Sequence, residues 1–318
     1  MKKMTNSVHV EGYLYEHDLK KKVSGPTSKK PGTEFISGTI GIATDEEMKN
    51  IVEIHYTYTT ATTSKGNPNA TYGVLSDIID GKLKTAMEVG KEEAAKLRAD
   101  TAIALNDYYS ENNNEWVLSS PKRNEGGFVS RTTAINDTNR NNFKCDMIIT
   151  KCTRMEADPE RSLPERMNVS GVIFDFRNQL LPVTFITYNE KAMDSLEGQG
   201  ISEAHPFCTQ INGNQVNATI VRKIVEENAW GADVVREATS SRREFVITHG
   251  GSTVYEWDSE DFVTGEEFKS LVANRETHLA EVKQRAIEWK EQRAAQNAAP
   301  AVAVAVTPSA TTAAGFNF

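Results

Sequence analysis

Two stretches of the chain, about 130 residues apart, carry the same pattern of strand-like segments. Residues 36–40 (ISGTI) match residues 169–173 (VSGVI) at an offset of 133. The next run, VEIHYTY from Val52, matches VTFITYN from Val183 at an offset of 131. The order strand, long loop, strand, turn, strand and helix therefore occurs twice. A shared order over roughly 50 residues predicts two copies of one fold.

Alternating apolar and polar residues define the strands of each copy. In the first copy the predicted strands are 8–17, 33–44, 50–60, 101–110 with 115–120, and 127–132. A short helix is predicted at 72–81, a helical or polar insertion at 86–100, and a turn at 121–127. In the second copy the strands are 143–152, 167–176, 180–189, 206–225 and 244–251, with a helix at 190–198.

Five strands with a helix between the third and the fourth is the order of the OB-fold, a small, partly open barrel. The fold class predicted is mainly β, with two tandem OB-fold barrels followed by a long C-terminal amphipathic helix and a disordered tail. The predicted boundaries are 1–140 and 141–255 for the barrels, 256–296 for the helix and 297–318 for the tail.

The C-terminal helix is predicted from residues 264–296, where apolar side chains recur at helical spacing. Thr264 and Glu267 at its start form a capping-box pattern. The tail is rich in Ala, Val and Thr, carries no charge and includes Phe316 and Phe318. This composition predicts a disordered tether with a terminal docking peptide.

Composition and motifs exclude several classes of protein. The chain is 38% hydrophobic and 25% charged, has no secretory leader and has no window approaching 18 apolar residues, so a cytoplasmic protein is predicted. Its three cysteines form no metal-binding pair and are interpreted as reduced, and its six histidines lack ligand spacing. No phosphate-binding loop, nucleophile elbow or zinc-protease motif is present. A non-enzymatic protein with no metal and no cofactor is predicted.

A lysine-rich segment at 18–35 stands out because the whole chain has a formal net charge of -8. It lies between the first two strands, and OB-folds bind oligonucleotides on the face of strands 2 and 3 and in the loops joining strands 1-2 and 4-5. We therefore expect these lysines to meet backbone phosphates while aromatic rings stack on bases. A solvated loop with no ligand is the competing interpretation. The lysines are Lys20, Lys21, Lys22, Lys29 and Lys30.

Rings and further cations near the predicted face complete the candidate site. Tyr56 and Tyr58 are left out because they share a face with Val52 and Ile54, which favours burial. His55 has two interpretations, a contact to a base or phosphate and a satisfied surface histidine. Phe174 and Phe176 in the second copy fit either ligand platforms or an inter-domain contact. The remaining candidates are Tyr13, Tyr15, Phe35, His55, Tyr108, Tyr109, Trp116, Lys122 and Arg123.

Several segments resemble single-stranded DNA-binding proteins, and more closely a group of two-OB-fold proteins from phages and mobile elements of Gram-positive bacteria. The segments are 8–17 (VHVEGYLYEH), 143–151 (FKCDMIITK), 169–174 (VSGVIF), 243–252 (REFVITHGGS) and 273–285 (ANRETHLAEVKQR). The resemblance implies binding of single-stranded DNA during replication or recombination. It departs from typical bacterial members in the tail, which keeps terminal phenylalanines but lacks acidic residues.

Two hypotheses follow. In the first, the chain is a non-enzymatic single-stranded DNA-binding protein, with RNA not excluded, and its helix contacts a second copy or a replication or recombination protein. In the second, it is a phage or mobile-element accessory protein whose barrels contact other proteins. The second copy's loop, 153–166, mixes four acids with three arginines, so the first barrel is expected to grip the strand while the second supports it.

Overall fold

Five of the eight strands between residues 6 and 131 close into a barrel in the computed structural model, which describes residues 3–136, 138–159, 163–226 and 234–298. Strand β1 pairs with β3, β3 with β4 and β5 with β1 in antiparallel fashion; β4 meets β8 in parallel, and β8 returns to β5. This closure is that of an OB-fold. The elements are β1 (Asn6–His17), β2 (Lys20–Val23), β3 (Glu34–Ala43), β4 (Ile51–Thr60), α1 (Ala70–Ile79), α2 (Ala86–Val89), β5 (Lys96–Leu105), β6 (Tyr108–Asn112), β7 (Glu115–Ser119) and β8 (Lys122–Arg131).

A second barrel closes in the same way. Its strands pair in the order β9, β10, β11, β13, β12 and back to β9, with β11 and β13 parallel. The predicted fold class and the repeat are confirmed, whereas the domain boundaries at 140, 255 and 296 stay predictions. The elements are β9 (Asn141–Met155), β10 (Arg166–Phe174), β11 (Leu180–Thr187), α3 (Glu190–Glu197), β12 (Phe207–Glu226) and β13 (Val234–Tyr255).

Matching glycines explain why the repeat is visible in the sequence. Gly38 has φ +135, and a Cβ there would lie 2.7 Å from the Cα of Leu19. Gly171, at the same place in the second copy, approaches β9 so closely that a Cβ would overlap the carbonyl of Ile148. Both glycines mark a register shift in the second strand of their barrel, where only glycine fits.

The fourth and fifth strands of the first barrel begin earlier than predicted. Strand β5 starts at Lys96, because Leu97 and Ala99 point inward between charged neighbours that gave 86–100 its polar character. Strand β8 starts at Lys122, and the predicted turn at 121–127 is wrong. The pair Gly126 and Gly127, both at positive φ, accompanies a shift of register within the strand rather than a turn.

Two hairpins also differ from prediction. The lysine segment is not a plain loop, because residues 20–23 form β2 and pair with the start of β3. Strand β12, 20 residues long, agrees with the predicted 206–225, whereas β13 is 22 residues long and begins ten residues before the predicted 244–251. Charged residues such as Arg242 and Arg243 gave the first half of β13 no apolar alternation, so the sequence pattern did not predict it.

Helix α4 (Gly265–Ala298) follows the barrels. Its predicted capping box forms, with the amide of Glu267 donating to the Thr264 hydroxyl at 3.3 Å and the amide of Thr264 donating to the Glu267 carboxylate at 3.0 Å. Phe268 and Leu271 pack on a small apolar cluster around Phe174 and Phe262, outside the main core. The chain itself thus covers the first part of the helix's apolar stripe, and self-association through α4 stays a prediction.

The hydrophobic side chains of the two barrels form one continuous core. Cys145 and Cys208 are buried within the barrels, Cys152 is half-buried, and all three are free thiols. Among the described residues, no helix has the length and apolarity needed to cross a bilayer, and no cluster of three metal-ligating side chains occurs.

The barrels are joined by backbone pairing and by buried amides. The start of β1 pairs antiparallel with the start of β9, from Asn6 opposite Cys145 onward. Beside this junction, the side chains of Asn124 and Gln215 exchange two hydrogen bonds of 2.8 and 3.0 Å, each residue being 1% exposed. Asn141 also donates to the backbone carbonyl of Gln215 at 2.6 Å. The relative placement of the barrels is therefore specified by directional bonds as well as by apolar contact.

Substituting Gln215→Ala tests this junction. It leaves the amide of Asn124 with an unsatisfied buried group, so we expect a loss of about 1 to 3 kcal/mol in the free energy of unfolding measured in urea. The exposed Gln199→Ala is the matched control and should be neutral. The double variant Asn124→Ala/Gln215→Ala should cost less than the sum of the two single variants, because each single change already breaks the pair. Strict additivity would contradict the assignment.

Candidate nucleic-acid interface

Phe35 and Tyr58 form an aromatic pair on the outer face of the first barrel, in which Tyr58 is exposed and Phe35 is half-buried. Ile36 lies opposite Thr59 and Gly38 opposite Tyr56, so β4 carries one extra residue at this point. The bulge breaks the alternation: Tyr56 is 3% exposed, whereas Tyr58 is 48% exposed. The rings of Phe35 and Tyr58 lie 4.5 Å apart at 34°. The expectation that Tyr58 is buried is therefore wrong, and alternation alone could not reveal the bulge.

Strand β2 brings two lysines to the same face as this pair. Lys22 lies opposite Phe35 and Lys20 opposite Ser37, and opposed residues of an antiparallel pair point to the same side. Lys21 points to the other side, where its ammonium group contacts Asp80, at the end of α1, at 2.8 Å. The hydrogen bond to Asp80 raises the pKa of Lys21.

The turn between β2 and β3 carries Lys29 and Lys30, both exposed. Lys20 and Lys22 therefore lie on the side of the aromatic pair, Lys29 and Lys30 extend from the adjoining turn, and Lys21 is engaged with Asp80 at the surface. We call the outer surface of these three strands, with their turn, the β2–β3–β4 face.

His55 lies in the middle of the β2–β3–β4 face, opposite Thr39. Its Nδ1 is 3.0 Å from the Thr39 hydroxyl. Burial lowers the pKa of His55, and the positive charges of Arg123 and Arg243 lower it further. The imidazole is thus neutral at pH 7, so it offers hydrogen bonds rather than a charge for a phosphate.

The carboxylates on this surface are paired with arginines. Arg243, from β13 of the second barrel, meets the Glu53 carboxylate at 2.8 and 3.1 Å, and this bond lowers the pKa of Glu53. Arg123 contacts Glu125 at 3.0 Å. Sequence reasoning identified Arg123 but missed Arg243, which lies 190 positions from its partner and gives no local signal.

The β6–β7 hairpin occupies the strand 4-5 position and carries three of the predicted rings. Tyr109 and Trp116 lie beneath lysines of α4, with the ammonium groups of Lys283 and Lys290 at 5.8 and 6.0 Å from the ring centres. Tyr108 is on the alternate face of the hairpin and is 45% exposed.

The remaining candidates are not brought together with the aromatic pair. Tyr13 and Tyr15 are half-buried on β1, and Tyr13 lies between the ammonium groups of Lys91 and Lys96. Lys122 is turned into the second barrel, where it donates to the carbonyl of Thr184 and lies 5.6 Å from two ring centres. Burial lowers the pKa of Lys122 to about 8. Because the amino group is buried against the second barrel, it does not reach a phosphate on the outer face.

The second barrel presents a different surface at the corresponding strands. Phe174 is buried against Phe262, whereas Phe176 is 77% exposed in the turn after β10 and lies 4.9 Å from the Arg177 guanidinium. On the outer face, the hydroxyls of Ser170 and Thr184 bond to each other at 2.9 Å.

The fold places the chain in the class of proteins with two OB-type barrels. The chain belongs to the YorF family, whose model matches residues 4–285. The sequence matches no curated protein. Among solved structures, it is similar to a deletion mutant of the single-stranded DNA binding protein from Thermus aquaticus, with 8% identity, a TM-score of 0.46 and coverage of 82% of this chain and 100% of that one. The wild-type protein gives 8% identity, a TM-score of 0.44 and coverage of 80% and 96%.

The lowered pKa of His55 can be tested by NMR titration of the histidine ring protons. We expect its midpoint to lie below the ordinary value of about 6.5. Because the folded-state pKa is the lower one, His55 contributes stability above the unfolded pKa, and this contribution is lost as the pH falls through the folded pKa. Arg243→Gln should raise the midpoint, since it removes one cation and leaves Glu53 unpaired. Arg242→Gln, one position away, is the control, and an equal shift in both variants would contradict the assigned cause.

Proposed function

We propose that this protein binds single-stranded DNA, without catalysis, across the β2–β3–β4 face of its first barrel. The observation that carries the proposal is the Phe35–Tyr58 pair, which lies on the outer face beside Lys20 and Lys22. Unpaired bases stack on such rings, while ammonium groups along the edge follow the phosphates. A duplex keeps its base faces inside the stack, so the ring pair favours a single strand.

The charge of the chain does not oppose this binding. Binding depends on local potential rather than on the total of -8. Two acids of the face are neutralised, since Glu53 is held by Arg243 and Glu125 by Arg123, and Asp18 accepts a hydrogen bond from the amide of Thr39. A DNA strand would therefore cross a polar surface on which arginines offset two carboxylates.

The biological setting of the proposal rests on the resemblance noted in the sequence. We place the binding in the replication or recombination of phage or mobile-element DNA, within the cytoplasm of a bacterial host. The second barrel supports the first, as the supply of Arg243 to the face suggests. Contact of the barrels with other proteins is the alternative, and it is the interpretation left if oligonucleotides fail to bind.

Substitution of the aromatic pair gives the first test. A stacked base contributes about 1 to 3 kcal/mol, so Phe35→Ala/Tyr58→Ala should weaken oligo-dT binding by about 10-fold or more in a fluorescence titration. Phe128→Ala is the matched control: Phe128 is 76% exposed, but it lies on β8 opposite Asp100 of β5. Equal losses in the two variants would remove the pair from the interface, and a parallel series with oligo-rU would reveal any preference for RNA.

The salt dependence of binding tests the lysines. Each phosphate contact on a single strand contributes about 0.7 to the slope of log K against log salt, so changing Lys20, Lys22, Lys29 and Lys30 together to Ser should reduce the slope by about 2.8. Lys21→Ser should leave the slope nearly unchanged, because Lys21 already pairs with Asp80. A large change with Lys21→Ser and none with the fourfold variant would contradict the geometry.

A further inference from the structure

A groove of about 410 Å3 separates helix α4 from the base of the β6–β7 hairpin. The helix is held there by Arg275, which meets the Asp107 carboxylate through two contacts of 2.6 Å. Desolvation alone would raise the pKa of Asp107, but hydrogen bonds from Arg275 and Ser120 hold it below its ordinary value. The carboxylate of Asp107 is thus an anion that Arg275 neutralises.

The charged groups left to the groove are cationic. Arg285 of α4 lines it opposite Arg123 of β8, and Arg123 is already paired with the Glu125 carboxylate at 3.0 Å. The Nε of Arg285 donates to the Glu281 carbonyl of its own helix at 3.3 Å, and no carboxylate in the described part of the chain forms an ion pair with it. His278 also lines the groove, at 3.5 Å from Asp107. The groove therefore offers the guanidinium group of Arg285, a type of group suited to phosphate oxygens.

An aromatic ring accompanies these cations. Tyr108 lines the groove and is 45% exposed. A ring beside the guanidinium group of Arg285 repeats the chemistry of the β2–β3–β4 face, where Phe35 and Tyr58 lie beside lysines. The combination fits a nucleotide, with its base on the ring and its phosphate on the cations.

The groove adjoins the β2–β3–β4 face at one end and a second groove at the other. Arg123 belongs to it and bonds to Glu125, which lies opposite His55 of the β2–β3–β4 face. On the other side, a second groove of about 400 Å3 shares His278 and reaches Arg177, which stacks on the exposed Phe176 of the second barrel. A DNA strand that leaves the β2–β3–β4 face beside Arg123 would continue into the groove.

We infer that the groove between α4 and the β6–β7 hairpin is a second nucleotide-binding subsite, which takes the continuation of a strand bound on the β2–β3–β4 face. This inference rests on the proposed function. Helix α4 then forms a wall of the binding site, with Arg285 contacting a phosphate and Tyr108 stacking on a base.

The test compares two double variants on oligo-dT of increasing length, from about 4 to about 30 nucleotides, a range that spans more than one OB-fold site. Tyr108→Ala/Arg285→Gln should bind the shortest oligonucleotides like the wild-type protein and the longest about 10-fold more weakly. Val117→Ala/Lys269→Gln changes exposed residues of the same two elements that do not line the groove, and should follow the wild-type protein throughout.

The outcomes separate the two proposals. If the wild-type protein binds no oligo-dT, the proposed function fails. If it binds and both double variants follow its length profile, only the groove is overturned. A measurement on the wild-type protein does not depend on whether a variant folds. Photo-crosslinking with 5-iodouracil in a long oligonucleotide should label Tyr108 or Tyr109. Crosslinks confined to Phe35 and Tyr58 would overturn the subsite.

Discussion

The buried amide pair of Asn124 and Gln215 fixes how the second barrel sits on the first, and the candidate interface depends on that placement. Two directional bonds in a site closed to water leave one satisfactory orientation, since any other would bury unpaired amide groups. In that orientation Arg243 of β13 reaches Glu53 of β4. Without Arg243, the unpaired carboxylate of Glu53 would lie on the surface where we expect the phosphate backbone to pass.

Ion pairs of this kind reduce the repulsion between an acidic protein and an anionic ligand. Three carboxylates near the face, those of Asp80, Glu53 and Glu125, each have a cation of this chain within 3.0 Å. The lysines of β2 and its turn that remain exposed therefore act on a locally neutral background. At physiological salt, where the Debye length is about 8 Å, acids elsewhere on the molecule are largely screened from a strand bound there.

The sequence was sufficient for the architecture because the barrel imposes local rules. Alternation and the paired glycines Gly38 and Gly171 recur in both copies, so strand order and fold class followed from the repeat. The residues of the candidate site were harder to predict from the sequence than the fold. A bulge moves Tyr58 outward, an ion pair with Asp80 engages Lys21, and burial against the second barrel removes Lys122 from solvent. Each of these depends on tertiary contacts that no local pattern encodes.

The repeat also shows why the two barrels are expected to play unequal parts. At the offsets of the repeat, Asn168 and Asn189 stand where Phe35 and Tyr58 stand in the first copy. Asn189 accepts a hydrogen bond from the amide of Ala192 at 3.1 Å and caps α3, so this position serves the fold and offers no ring to a base. In the second copy's strand 1-2 segment, Arg154 is held by the carboxylates of Glu165, Asp194 and Glu197. The first copy presents aromatic rings and lysines on this face. In the second copy, Asn189 caps α3 instead, and three carboxylates neutralise Arg154.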